Sequence, residues 1–142
     1  MATSITITQR QAPTFRALIK DNEGNFFDVS NHLATAEELE AEGIDALPAA
    51  FSIRRSKSSL TPYDANTSNS DPVEGYQNVE IDAAAFVEES TVREQELTYN
   101  FQYTPPSRAR FPFEQTGYYI VDFTIYPKTG AAIVFRVGVT VK

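Results

Sequence analysis

Period-two alternation of apolar and polar residues is strongest between Gly117 and Lys142, where two runs meet across Pro127-Lys128-Thr129-Gly130. Tyr119, Val121, Phe123 and Ile125 share one face of the first run. Ile133, Phe135, Val137, Val139 and Val141 share one face of the second. β-Branched and aromatic residues at this period predict half-buried antiparallel strands. A proline with a pre-set φ and a glycine free to take positive φ predict a four-residue turn and a fixed register. One hairpin cannot shield nine large side chains from water, so the pattern demands an opposing layer of sheet.

The same period, more weakly, marks the earlier strands. Residues 3–8 alternate through Ile5 and Ile7 and predict a first strand that is either a sheet edge or pairs with another subunit. Residues 14–20 place Phe15, Ala17 and Ile19 inward. The turn Asp21-Asn22-Glu23-Gly24-Asn25 then predicts a hairpin into a short third strand through Phe26, Phe27 and Val29. After Pro48, Phe51 and Ile53 mark a fourth strand, and Val79 and Ile81 a fifth. A small apolar knot follows at residues 83–87. Leu97, Tyr99, Phe101 and Tyr103 then alternate with Glu96, Thr98, Asn100 and Gln102. Seven or eight strands at this spacing predict an all-β antiparallel sandwich of one domain over residues 1–142.

Two stretches depart from the strand pattern. Thr35 followed by Glu38 is a capping box, and helix formers run on to Gly43, so one short helix is expected over about residues 36–42. Leu39 is its one large apolar residue, which predicts a helix lying lightly on the rim. Residues 56–76 are rich in Ser, Asn, Asp, Thr and Pro. A polar run of this length inside a compact domain points to an interaction loop or an idle one.

Charge narrows the partners. A formal net charge of −7 argues against nucleic acid, which requires clustered Lys and Arg. Between Lys20 and Arg54 lie eight acids (Asp21, Glu23, Asp28, Glu37, Glu38, Glu40, Glu42 and Asp45) and no base. They form a solvated acidic face or a docking patch for a basic partner. Arg54, Arg55 and Lys57 form one small basic cluster and Arg108 with Arg110 another, each able to meet the acidic belt of a neighbouring copy. Apolar runs fall short of the ~20 residues of a membrane helix, and MATSITITQRQ lacks the basic and apolar regions of a signal peptide. Neither export nor a membrane is expected.

Chemistry is thinly represented. His32 is the single histidine and cysteine is absent, so the usual zinc sites and Cys-His dyads cannot be assembled, and no serine sits in a nucleophile elbow. DNEGN with Asp28 has the oxygen content of a calcium loop but lacks its spacing and its distal Glu, which favours a hairpin turn. Nineteen carboxylates single out no glycosidase pair. No catalytic residue, cofactor or metal is expected. Ten Phe and seven Tyr are the one excess. Most are core, while Tyr63, Tyr76, Tyr118 and Tyr126 fall in loops or on outward phases, where tyrosine serves protein or sugar contacts.

The stretch from Thr116 to Val137 resembles the late strands of immunoglobulin-like domains. Gly117-Tyr118-Tyr119 stands where such domains carry G-x-Y, and the resemblance implies that Tyr119 anchors a corner by hydrogen bonding back to nearby backbone. More widely, ITITQ, FRALIKDNEGNFFDVS, YNFQYTPP and TGYYIVDFTIYPKTG follow an order similar to the N-terminal domain of upper baseplate proteins of tailed bacteriophages. The acidic helix and the Ser/Asn-rich loop depart from that order. The resemblance implies a virion structural or accessory protein of baseplate, tail or capsid. It would be made in the host cytoplasm and bind other virion proteins and copies of itself. A second reading is a glycan- or host-surface-binding module using residues 56–76 and exposed tyrosines. A third, an enzyme using carboxylates, has nothing in the sequence to single it out.

Overall fold

The two C-terminal runs form the centre of the larger sheet. In the computed structural model, which describes residues 3–20, 23–24, 26–27, 32–57, 70–92, 97–106 and 112–142, they are β8 (Gly117–Ile125) and β9 (Ile133–Val141). They pair antiparallel from Gly117 opposite Val141 to Ile125 opposite Ile133. The connection is longer than the expected four residues and spans 126–132. Pro127 bridges Leu33, Ala34 N–H donates to the Tyr126 carbonyl, and Tyr126 N–H donates to the Pro48 carbonyl. These bonds draw the chain out of the hairpin before it can turn.

Around this pair the described strands make an all-β sandwich. β3 (Ala49–Ser56) lies antiparallel to β8, and β1 (Thr3–Ile7) lies parallel to β9. Two short strands, β4 (Ser70–Pro72) and β5 (Val79–Glu80), both pair with β3. The large sheet thus runs β1-β9-β8-β3-β4, with β5 also on β3. The second sheet contains β2 (Phe15–Ala17), β7 (Leu97–Tyr103) and β6 (Phe86–Val92), in the order β2-β7-β6.

Nine strands are therefore present among the described residues, against an expected seven or eight. β4 lies at the far end of the polar run, whose earlier part, 58–69, falls outside the described residues. β6 arises where only an apolar knot was expected, because its sequence, FVEESTV, does not alternate. It occupies a sheet edge and carries a register shift between Phe86 and Ser90, so no strict pattern is imposed on it. Among the described residues, the expected third strand is represented by a bridge between Lys20 and Phe26 and one bond from Phe27 N–H to the Ile19 carbonyl. Val29 lies outside the described residues.

The core is aromatic where the sheets meet. Phe123 stacks on Phe135 at 4.8 Å and takes the edges of Phe15 at 5.4 Å and Phe101 at 5.5 Å, with Phe51 at 6.2 Å. The helix α1 (Ala36–Ala41) has the expected capping box and buries Leu39 alone.

One buried polar side chain closes the smaller sheet. Alternation in β7 predicts Asn100 in water, yet it is 2 % exposed. Its Oδ1 accepts from Ile19 N–H at 2.7 Å, and its Nδ2 donates to the carbonyls of Ile19 at 2.8 Å and Phe27 at 3.1 Å. The amide thus replaces the backbone partner that β2 loses after Ala17, and it fixes the base of the 19–27 hairpin. Asn100→Leu keeps the volume but leaves the Ile19 N–H and the Phe27 carbonyl without that partner, and is expected to cost about 2–4 kcal/mol in urea unfolding. Asn100→Asp keeps the acceptor and loses both donations, so it should also destabilise. A loss below about 0.5 kcal/mol for Asn100→Leu would show that these bonds contribute no net stability.

Candidate interaction surface

The start of β8 is a built corner. Tyr119 is buried, packs edge-on against Phe113 at 5.2 Å, and donates its hydroxyl to the Gln115 carbonyl at 2.8 Å. Burial pushes this hydroxyl above the ordinary phenol value, so it stays protonated and a donor. Gly117 has φ +140°, and a Cβ there would stand 3.3 Å from Arg55 Nε. The glycine is required both by its backbone and by the guanidinium beside it.

Arg55 is part of the same corner. Its Nη2 donates to the Thr116 carbonyl at 2.7 Å, and the guanidinium lies 6.0 Å from the Tyr119 ring centre. Its buried Nε has no hydrogen-bond partner among the described residues. Arg54, on the opposite face of β3, donates from Nε to Ser70 Oγ and from Nη2 to the Ser70 carbonyl, both at 2.7 Å. The two arginines read in the sequence as a cluster for a neighbour's acids thus diverge, Arg54 bracing the start of β4 and Arg55 the bend before β8. Successive residues of a strand point to opposite faces, which is why adjacent arginines cannot make one patch.

Tyr76 is corrected more fully. Expected in a loop with an outward ring, it is 1 % exposed, lies 6.5 Å from Phe51, and donates its hydroxyl to the Pro106 carbonyl at 3.0 Å. Its backbone explains the burial. Tyr76 carbonyl accepts from Ile53 N–H while Val73 N–H donates to the Ile53 carbonyl, so 73–76 wraps against β3 instead of looping into solvent. Tyr118 and Tyr126 are half-buried. Tyr63, Arg108 and Arg110 lie outside the described residues, as do Asp21, Asn22, Asn25 and Asp28 of the calcium-like turn.

The acidic belt divides. Glu38 bonds to Lys128 Nζ at 2.9 Å and accepts from Thr35 N–H, which ties the helix to the 126–132 connection. The Lys128 bond, with the Thr35 amide second, holds its carboxyl below the usual range. Glu37, Glu40 and Glu42 are exposed. His32 sits 5.5 Å from the Phe27 ring, and its carbonyl accepts from Lys128 N–H. Among the described residues, no group of three or more His, Cys, Asp or Glu is placed to hold a metal ion. Among the same residues, no helix is long and apolar enough to cross a membrane.

A surface that the sequence reading passed over is the 18–27 hairpin. Ile19 and Phe27 point into the core, so Leu18 (41 % exposed) and Phe26 (46 % exposed) point out. Lys20 Nζ lies 5.5 Å from the Phe26 ring centre and covers it. Further along β2, Arg16 bonds Gln102 at 2.8 Å and lies 5.2 Å from the Tyr99 ring centre. The signal was available: adjacent Phe26 and Phe27 on an extended chain must face opposite ways. No family model, no curated protein and no solved structure matches the chain.

Two outcomes test this geometry. Tyr119→Phe is expected to cost about 1 kcal/mol, and Gly117→Ala about 1–3 kcal/mol because it combines disfavoured backbone with a crowded guanidinium; equal, negligible losses in thermal unfolding would remove the corner as a constraint. Glu38 has a folded-state value below its unfolded one. Its pairing therefore stabilises at pH above the unfolded value and is lost as pH falls through the folded value. Lys128→Met should raise the Glu38 midpoint seen by carboxyl NMR, and a midpoint that stays put would mean the pair does not form in solution.

Proposed function

We propose that this chain is an immunoglobulin-like module that works by protein–protein contact, as a structural or accessory component of a tailed-phage particle. The observation that carries the fold part is the strand order. Taking β2, β3, β6, β7, β8 and β9 as B, C, D, E, F and G, the small sheet is B-E-D and the large sheet centres on G-F-C with β4 beyond C. That is the division of strands of an immunoglobulin sandwich, and Tyr119 then stands near the start of F with its hydroxyl bonded to backbone four residues upstream. The phage assignment is supported by the order of ITITQ, FRALIKDNEGNFFDVS, YNFQYTPP and TGYYIVDFTIYPKTG. Contact is through surface complementarity repeated by symmetry. Its ingredients are the exposed helix acids Glu37, Glu40 and Glu42, and the Leu18-Lys20-Phe26 ribbon with Arg16 beside it.

Light scattering of the purified protein, with electron microscopy of the same fractions, is expected to show a defined symmetric assembly. Its larger forms should dissociate as salt rises from about 50 to about 500 mM, because acids of one copy meet cations of another. Assembly indifferent to salt would remove the electrostatic part. A monomer that binds a glycan and loses that binding when residues 64–71 are deleted would favour the recognition module instead.

A further inference from the structure

Among the described residues, β1 stands at an open edge of the large sheet. Five strands expose an edge among the described residues, and four are blunted. β5, paired only with β3, is just two residues long. β2 is three residues long. β4 is also three residues long, ends at Pro72, and carries Asp71 paired with Lys57 at 3.6 Å. β6 is broken by its register shift. Short length, proline, charge and bulges are the devices by which natural sheets prevent edge pairing.

β1 has none of these. Its sequence is Thr-Ser-Ile-Thr-Ile, it runs in unbroken register with β9 from Thr3 to Ile7, and it bears no charge in a chain of net charge −7. The direction of its free groups follows from one bond. Lys142 N–H donates to the Ile7 carbonyl, so Ile7 turns its backbone groups toward β9. Successive residues of a strand alternate, so Ile5 and Thr3 do the same, while the N–H and C=O of Ser4 and Thr6 point away from the sheet.

We propose that two copies join antiparallel through β1 about a two-fold axis passing by Ile5. That axis sets Ser4 opposite Thr6 of the second copy and Thr6 opposite its Ser4. Each is then a hydrogen-bonded pair that exchanges two bonds, and Ile5 faces its own equivalent in the close, non-hydrogen-bonded position. Every outward donor of β1 meets an outward acceptor, and the two paired strands carry no charged side chain. A second copy is therefore the occupant this edge fits best, since the strand is its own complement under the symmetry that most homodimers adopt. The two large sheets become one. The pairing rests on the self-association proposed above in taking a second copy as partner, but it uses no charged group and so predicts a dimer that persists at high salt.

The test is amide hydrogen exchange read by NMR on the full chain at low and high protein concentration, with the mass measured alongside. Ile5 and Ile7 amides, bonded to β9, should be slow at both concentrations. Ser4 and Thr6 amides should be fast when dilute and slowed by about tenfold or more when concentrated. Thr6→Pro removes one outward donor and none that faces β9, so it should lower the dimer's association constant by about tenfold or more while the thermal midpoint of the monomer is kept. Ser4→Pro, at the other outward donor, repeats the test if Thr6→Pro does not fold. A dimer or larger species whose Ser4 and Thr6 amides exchange freely at every concentration, or one that both proline variants leave intact, would overturn the edge pairing and leave the self-assembly reading standing. A monomer at all concentrations up to about 1 mM would overturn the pairing as well, and would leave a virion role through other proteins.

Discussion

Everything else in the structure is arranged around the ring of Phe123. It is in contact with four other phenylalanines, two from each sheet: Phe51 and Phe135 beside it in the large sheet, Phe15 and Phe101 across the interface. Edge-to-face and offset contacts of this kind add to the area that the rings bury, and they are directional. A one-residue slip of β8 against either neighbour would turn Phe123 outward and break all four contacts together. The register of β3, β8 and β9 is thus set by packing across the sandwich as much as by the connection at 126–132. This explains how a connection longer than a tight turn still leaves the hairpin paired over its full length.

A core set by alternation is legible in sequence, and its exceptions are where polar groups must be satisfied. β1, β3, β7, β8 and β9 were readable because each presents one apolar face to a single core. The helix was readable because Thr35 and Glu38 satisfy each other's backbone donors locally. Asn100 was not, because its burial is decided by the Ile19 and Phe27 backbone eighty-one and seventy-three residues away, where β2 parts from β7. Tyr76 was hidden for the same reason: its ring is drawn in by backbone bonds between 73–76 and Ile53. β6 was missed because an edge strand with a register shift needs no periodic face.

The contact residues were the least legible. Sequence proximity made Arg54 and Arg55 look like a patch, but a strand separates neighbours onto opposite faces. Each guanidinium instead donates to a backbone carbonyl of its own chain, of Ser70 and of Thr116. An exposed ion pair contributes little, whereas Arg54 donates twice to the buried Ser70 of β4, and Arg55 ties the bend at Thr116 to β3. The structure therefore favours the brace over the patch. Gly117 follows from this choice, because Arg55 occupies the space that a side chain at 117 would need.

With Arg54, Arg55 and Lys128 engaged inside the chain, exposed charge is carried on several surfaces, two of which are set apart by the sign of their helix acids or strand cations. Glu37, Glu40 and Glu42 stand on the helix rim, while Arg16 and Lys20 stand on the outer side of β2 and the hairpin that follows it. A two-fold contact built on the helix rim would set acid against acid, and one built on the β2 side would set cation against cation. Neither surface can be used isologously without repulsion. Each can be used head-to-tail, acid to cation, which generates rings when the rotation closes and filaments when it does not. A symmetric two-fold contact must then avoid both surfaces, which leaves it to an uncharged part of the fold. Under the proposed self-association, charge would therefore assign head-to-tail and two-fold contacts to different faces, and one module could take part in both at once.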